Sequence, residues 1–202
     1  MTELSSTFGQ IDIYLFDQLL RGRIVPGMRV FEAGCGYGRN LAYFLRAGYD
    51  VAAVDANPDA VRAVRALAEK LAPGTAAASF RAEAIESNSF PEACADVVIS
   101  SAVLHFAADE QQFRAMLDAG WRLLKPGGLF FCRLASSIGM ESRFVPLGGR
   151  RFSLPDGSDR FLVDEPYLTA LTAELGGRLL DPLKTTVVQD LRCMTTWVLT
   201  KR

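Results

Sequence analysis

Histidine is almost missing from this chain: His105 is the only one in 202 residues. Cysteine is scarce too, and the four present, Cys35, Cys94, Cys132 and Cys193, lie far apart with no Cys-x-x-Cys pair. Zinc sites need clustered Cys and His ligands, and disulfide scaffolds need closely spaced cysteines, so neither a metal centre nor a disulfide framework is expected. An excess of either charge is also lacking, with 22 Lys and Arg against 23 Asp and Glu for a formal charge of −1. Binding to phosphate backbones relies on clustered basic side chains, so nucleic acid is not an expected partner. No apolar run nears the ~20 residues that span a bilayer, and no early segment joins a basic start, an apolar stretch and a cleavage site. No membrane partner and a cytoplasmic location are the corresponding expectations. No Asp-rich pattern offers ligands for magnesium.

What is present is a chain half apolar, enough to bury a core, and a single domain over 1–202 is expected. Short β-rich runs alternate with helical ones, the pattern of a parallel sheet with crossover helices. The expected strands cover Met28 to Ala33, Asp50 to Asp55, about Ala78 to Ala84, Asp96 to Ser100 and, after the turn Lys125-Pro126-Gly127-Gly128, Leu129 to about Ala135. Helices are expected over Arg39 to Ala47, from the cap Asn57-Pro58 onward, after the cap Asp109, and over Glu165 to Leu175. The runs Leu183 to Gln189 and Met194 to Leu199 are close enough to pair antiparallel. An amphipathic helix over Gln10 to Arg21 would cover one end of the sheet. The segment 136–163 breaks the alternation and reads as an insertion or lid, with a hairpin turning at Asp156-Gly157.

The stretch FEAGCGYGRN, Phe31 to Asn40, follows the first strand directly. A strand, a glycine-rich turn and a helix bring bare backbone N–H groups beside a ligand, because a Cβ would collide there. The dinucleotide pattern G-x-G-x-x-G would put its third glycine where Arg39 stands; here it comes one residue early, at Gly38, which counts against NAD or FAD. Asp55 ends the second strand, where a carboxylate faces the ribose of a bound nucleoside in such folds. Asn57 already serves as helix cap, which leaves Asp55 free for that contact.

The motifs VFEAGCGYGRN, VAAVDAN, ADVVISSAVLHF and LLKPGG, in this order and spacing, resemble the successive motifs of class I S-adenosylmethionine (SAM)-dependent methyltransferases, over roughly Val30 to Ala135. The resemblance implies an α/β fold: a doubly wound, seven-stranded, mostly parallel sheet of Rossmann-like type with its last strand antiparallel. It implies SAM as cofactor and S-adenosylhomocysteine as product. Gly34, Gly36 and Gly38 would border the methionine part, Asp55 would bind the ribose, and Glu32 would meet the ligand's amino group. Glu83-Ala84 would meet the adenine, with Glu86 a competing acid nearby, and Ser100 would border the methionine.

A sulfonium is already a good leaving group, so aligning a nucleophile in line with the methyl and excluding water does most of the work. The expected function is in-line methyl transfer to a small-molecule acceptor. His105, with an ordinary pKa near neutrality, is the candidate catalytic base, set against a purely structural role in its loop. Methylases of exocyclic or amide nitrogens typically carry Asn/Asp-Pro-Pro-Tyr/Phe after the fourth strand; Ser100-Ser101-Ala102-Val103 stands there instead. Parts of the chain also look similar to tellurite-resistance methyltransferases. Arg143, Arg150, Arg151, Arg160 and Arg192 could supply anion contacts if they converge. The competing classes are a nonenzymatic SAM-binding regulator and a nicotinamide-dependent oxidoreductase.

Overall fold

The protein's computed structural model describes residues 3–202. Two short helices, α1 (Glu3–Phe8) and α2 (Ile13–Leu20), precede the sheet. Helix α2 starts where Asp12 caps it, its carboxylate accepting the Tyr14 N–H at 3.0 Å. The alternation then runs β1 (Arg29–Ala33), α3 (Leu41–Arg46), β2 (Asp50–Asp55), α4 (Pro58–Leu71), β3 (Phe80–Ala82), β4 (Ala95–Ser101), α5 (Glu110–Leu123) and β5 (Leu124–Ser136). Helix α4 opens as its sequence dictates: Asn57 Oδ1 accepts the Asp59 N–H at 2.9 Å, and Pro58 takes the first turn, where no donor is needed. Asp109 caps α5 in the same way through the Gln112 N–H.

β1, β2, β3, β4 and β5 pair parallel in the order β5-β4-β1-β2-β3. Buried on both faces, these strands read as near-continuous apolar runs, and successive residues feed opposite cores. Phe31, Ala52, Val54 and Val98 pack with Phe113 and Leu117 of α5 on one face. Val30, Val51, Ala53, Val97 and Ile99 pack with Leu15 of α2, Phe44 of α3 and Val64 of α4 on the other.

Past β5 lie β6 (Val145–Gly148), β7 (Arg151–Ser153), β8 (Asp159–Phe161), α6 (Glu165–Glu174), β9 (Gly177–Leu179), β10 (Lys184–Val188) and β11 (Arg192–Lys201). β11 returns antiparallel beside β5, with β10 antiparallel at its outer edge. The sheet is thus the expected seven-strand path, with one short addition: β9, which pairs antiparallel to β11 beyond that path.

Three segments differ from the sequence reading. β3 covers three residues rather than seven, because the alanine-rich run before it makes a 3-10 turn at Ala77–Ser79. Lys125 to Gly128 lies inside β5 as a bulge: pairing with β4 jumps from Ala95↔Leu124 to Val97↔Leu129. A Cβ on Gly128 would stand 2.6 Å from Leu124 Cδ1 and 2.9 Å from the Asp96 carbonyl, so the bulge admits only glycine there. The segment 136–163 holds the expected hairpin, closed by Leu154 N–H to Ser158 O at 2.9 Å, and β6 widens it to a three-stranded antiparallel sheet. Residues flanking these strands, Met140, Phe144, Leu154 and Leu162, pack with Cys193 and Met194 of β11, at the end of β5 where the chain leaves the main sheet. No helix among the described residues is long and apolar enough to cross a membrane.

Trp197 on β11 is fully buried, and its indole N–H donates to Thr172 Oγ1 on α6 at 3.0 Å. Replacing Trp197 with Ala removes both the packing and that tether. Urea unfolding of the variant is expected to show a loss of about 3–5 kcal/mol.

Candidate functional site

Chain order reverses at β1, which has β2 on one side and β4 on the other. The crevice beyond the carboxyl ends of these strands is the place an open α/β sheet offers a ligand. A cavity of about 700 Å³ occupies it, walled by Glu32, Gly34, Gly36, Asp55 and the loop after β4. Its floor is the turn after β1, pinned to β2: the N–H groups of Gly34 and Cys35 both donate to Val54 O, at 2.9 and 3.0 Å. Gly36 N–H donates to Asp55 Oδ2 at 2.8 Å, while Asp55 Oδ1 accepts from Asn57 N–H at 2.9 Å. Each carboxylate oxygen can accept two hydrogen bonds, so Asp55 keeps acceptor capacity toward the cavity.

The glycines serve different purposes. Gly34, at φ +82°, lies so close to the loop after β4 that an added Cβ would sit 2.6 Å from Val103 Cγ2. A Cβ on Gly36 would meet nothing within 4 Å and would project into open space. Gly38 is absent from the cavity wall; its Cβ position faces Val64 and Leu67 of α4 at 3.1 Å, so its glycine serves helix packing.

Glu32 is a strongly perturbed carboxylate in the cavity wall. It is 2 % exposed, and its Oε1 accepts from Asn40 Nδ2 at 2.6 Å, but Oε2 is buried with no hydrogen-bond partner. Burial pushes its pKa up to about 8, against opposing stabilisation from Asn40 and Arg39. An unmet buried acceptor costs about 1–3 kcal/mol. A cationic N–H donor in the cavity would restore the missing bond and return the group to its charged form.

Two further expected contacts, those of Glu83 and Ser100, fall elsewhere. Glu83 turns away from the cavity, its two oxygens accepting from Ser89 N–H and Ser89 Oγ at 2.7 Å each. Ala84 does line the cavity, with Ile85 and Glu86 beside it; the competing acid Glu86 is therefore the one present, held by Gln112 Nε2 at 2.9 Å. Ser100 is buried away from the cavity, whereas Ser101, one residue on and so on the opposite face of β4, lines it and accepts from Arg39 Nη2 at 3.1 Å.

His105 does not reach the first cavity. It lines a second one, of about 360 Å³, that shares Arg39, Ala102 and Phe106 with the first. Its Nδ1 accepts the backbone N–H of Ala135 at 3.0 Å, so in the neutral ring the proton resides on Nε2. Burial first, then the fields of Arg160, Arg133 and Arg192, push its pKa down to about 4. With the Nδ1 lone pair engaged and Nε2 protonated, the ring presents a donor to the cavity and has no free lone pair with which to act as a base. Of the arginines singled out in the sequence, only Arg160 and Arg192 line this cavity. Arg150 pairs with Asp164 at 2.9 Å, and Arg151 donates to Ala107 O at 3.1 Å.

Sequence reasoning missed the residues that join the two cavities. Asp12, almost fully buried, accepts from Arg39 Nη2 at 3.4 Å and from Arg133 Nη1 at 3.3 Å. Arg133 was visible as a lone charge inside the apolar run LFFCRLA of β5, a pattern that calls for a buried partner.

The Methyltransferase domain family matches residues 31–132. A ubiquinone biosynthesis O-methyltransferase of Methylocella silvestris is 33% identical over 109 residues, covering 54% of this chain and 40% of that protein. Its counterpart in a Bradyrhizobium species is 28% identical over 154 residues, covering 69% and 58%. The chain thus spans about half the length of the curated relatives it matches. Among solved structures, a SAM-dependent methyltransferase of Methanosarcina mazei superposes with a TM-score of 0.72 at 19% identity, covering 91% of this chain and 96% of that one. A Burkholderia thailandensis 1,6-didemethyltoxoflavin-N1-methyltransferase, solved with S-adenosylhomocysteine, gives 0.68 at 22%, covering 98% and 84%. TehB of Haemophilus influenzae gives 0.67 at 19%, covering 93% and 62%; at these identities the likeness is one of fold.

The raised pKa of Glu32 makes a signed prediction. The folded chain holds a proton between about pH 4.5 and 8 that the unfolded chain does not, so this group's contribution to stability falls as pH rises across that window, by up to about 1.4 kcal/mol per unit. Glu32→Gln, which keeps an oxygen for Asn40, is expected to melt above the wild type at pH 8, with the gap closing toward pH 5 in a thermal melt series.

Proposed function

The chain belongs to the methyltransferase-domain family, and from that premise we propose that it transfers a methyl group from SAM to a small-molecule acceptor by in-line displacement. The observation carrying the residue assignments is the orphaned Glu32 Oε2 in the wall of a crevice floored by Gly34 and Gly36. A cofactor with an amino-acid tail supplies the missing donor: its ammonium would pair with Glu32. Gly36, where a side chain would project into open space, leaves room for the chain beside it. Asp55, held by Gly36 and Asn57, would take the ribose hydroxyls with its remaining acceptor capacity. Ala84 and Ile85 would give the adenine an apolar wall, with Glu86 in place of Glu83 as the polar neighbour.

Bound there, SAM would supply a methyl on a sulfonium, which an acceptor lone pair could take as the C–S bonding pair returned to sulfur to leave a neutral thioether. The chain's part is to align and to exclude water. Arg39, Ala102 and Phe106 stand between the cavities, at the junction where acceptor and methyl would meet. The second cavity favours an enzyme over a protein that only senses the cofactor, since a sensor has no use for an acceptor chamber. A dedicated base is not required of His105; its Nε2–H would orient the acceptor instead.

Calorimetry with S-adenosylhomocysteine tests the assignments. At pH 7 binding is expected to release protons as Glu32 ionises against the ammonium, seen as a heat that depends on the buffer's ionisation enthalpy. That dependence should vanish in Glu32→Gln, and Asp55→Ala should weaken binding by roughly tenfold or more, the worth of one or two charge-assisted hydrogen bonds. Binding unchanged in Asp55→Ala would remove the ribose assignment.

A further inference from the structure

The second cavity differs from the first in charge. Four guanidinium groups line it, those of Arg39, Arg133, Arg160 and Arg192, and Asp156 is the one carboxylate among them. Asp12 lies behind Arg39 and Arg133 and offsets one charge; Asp156 meets Arg192 only at 3.5 Å. Two positive charges therefore remain without a carboxylate. Arg160 spends one N–H on the Asp159 carbonyl and lays its guanidinium over the Phe106 ring at 4.7 Å, which fixes its position at the cavity without cancelling its charge. His105 registers the resulting field, since Arg160, Arg133 and Arg192 help hold its ring neutral.

We propose that the acceptor is an anion, a small molecule bearing a carboxylate or another oxyanion group that docks on Arg133, Arg160 and Arg192 with the Nε2–H of His105 as a further donor. This rests on the methyl-transfer reading above and names the substrate class for it. The volume of about 360 Å³ suits a compact metabolite, near the low end of the ~300–1,000 Å³ typical of small-molecule sites. Guanidinium forks match planar carboxylates and tetrahedral oxyanions, and both offer only acceptors, as a cavity lined by donors requires. Neutral amides bring N–H donors that would face these cations. The insertion contributes Leu154, Asp156, Ser158 and Arg160, so part of the recognition surface comes from outside the main sheet.

The test is calorimetry on protein saturated with S-adenosylhomocysteine, using benzoate, phenylphosphonate and the neutral isostere benzamide as probes. One or both anions are expected to bind about tenfold or more tightly than benzamide, the lower bound for a charge-assisted hydrogen bond. The preferred anion tells a carboxylate acceptor from a tetrahedral one. Arg160→Gln and Arg192→Gln should each cut anion affinity several-fold and leave S-adenosylhomocysteine affinity unchanged. Anions binding no better than benzamide, or equally well to both variants, would overturn the proposal while the cofactor reading stands. Failure of S-adenosylhomocysteine to bind at all would instead sink the cofactor reading.

Discussion

Asn40 stands at the N-cap position just before α3, but its side chain does not cap the helix; its amide is committed elsewhere. Oδ1 accepts the backbone N–H of Asp12 at 3.0 Å, and Nδ2 donates to Glu32 Oε1 at 2.6 Å. One side chain thus fixes where α2 begins and how the buried carboxylate of β1 is turned. Because α2 begins there, the Asp12 carboxylate is aimed at Arg39 and Arg133, and the polar walls of both cavities are joined through a single buried amide. A neutral amide can link two carboxylate-bearing residues without the desolvation cost of a third buried charge. The arrangement leaves Glu32 Oε2 as the one acceptor at this junction that the chain itself does not satisfy.

Much of the fold was legible because its signals are local. β2 runs over the residues expected of it; the caps Asn57 and Asp109 bond as their chemistry requires, and the hairpin at Asp156-Gly157 closes as its turn residues dictate. β3 and the bulge in β5 were harder, since what limits them is pairing with a neighbouring strand, which one segment does not report. β9 is three residues of edge pairing with no apolar alternation to announce it.

The site was legible where backbone geometry dictates it and obscure where a side chain's direction decides. Gly34, Gly36, Glu32 and Asp55 do converge on one cavity. Glu83 and Glu86 lie three residues apart on a chain that coils through a short 3-10 turn at Ile85–Ser87, and only coordinates tell which carboxylate faces inward. Ser100 and Ser101 differ by one step of a period-two strand, so an error of one residue changes the face. His105 reads in sequence as either a candidate base or a structural residue of its loop, and its protonation pattern is set by the Ala135 N–H, thirty positions away.

The parallel sheet positions the first cavity at its switch point, while the second is built from the end of β5, the inserted antiparallel sheet, β10 and β11. On the proposed reading, specificity would reside in the least regular part of the chain, as expected when one scaffold serves many reactions. The most direct test of the account is a crystal structure with S-adenosylhomocysteine, reading the distance from its amino nitrogen to Glu32 Oε2. The account predicts a hydrogen bond of about 3 Å. An amino group directed elsewhere, with Oε2 still unpartnered, would contradict it.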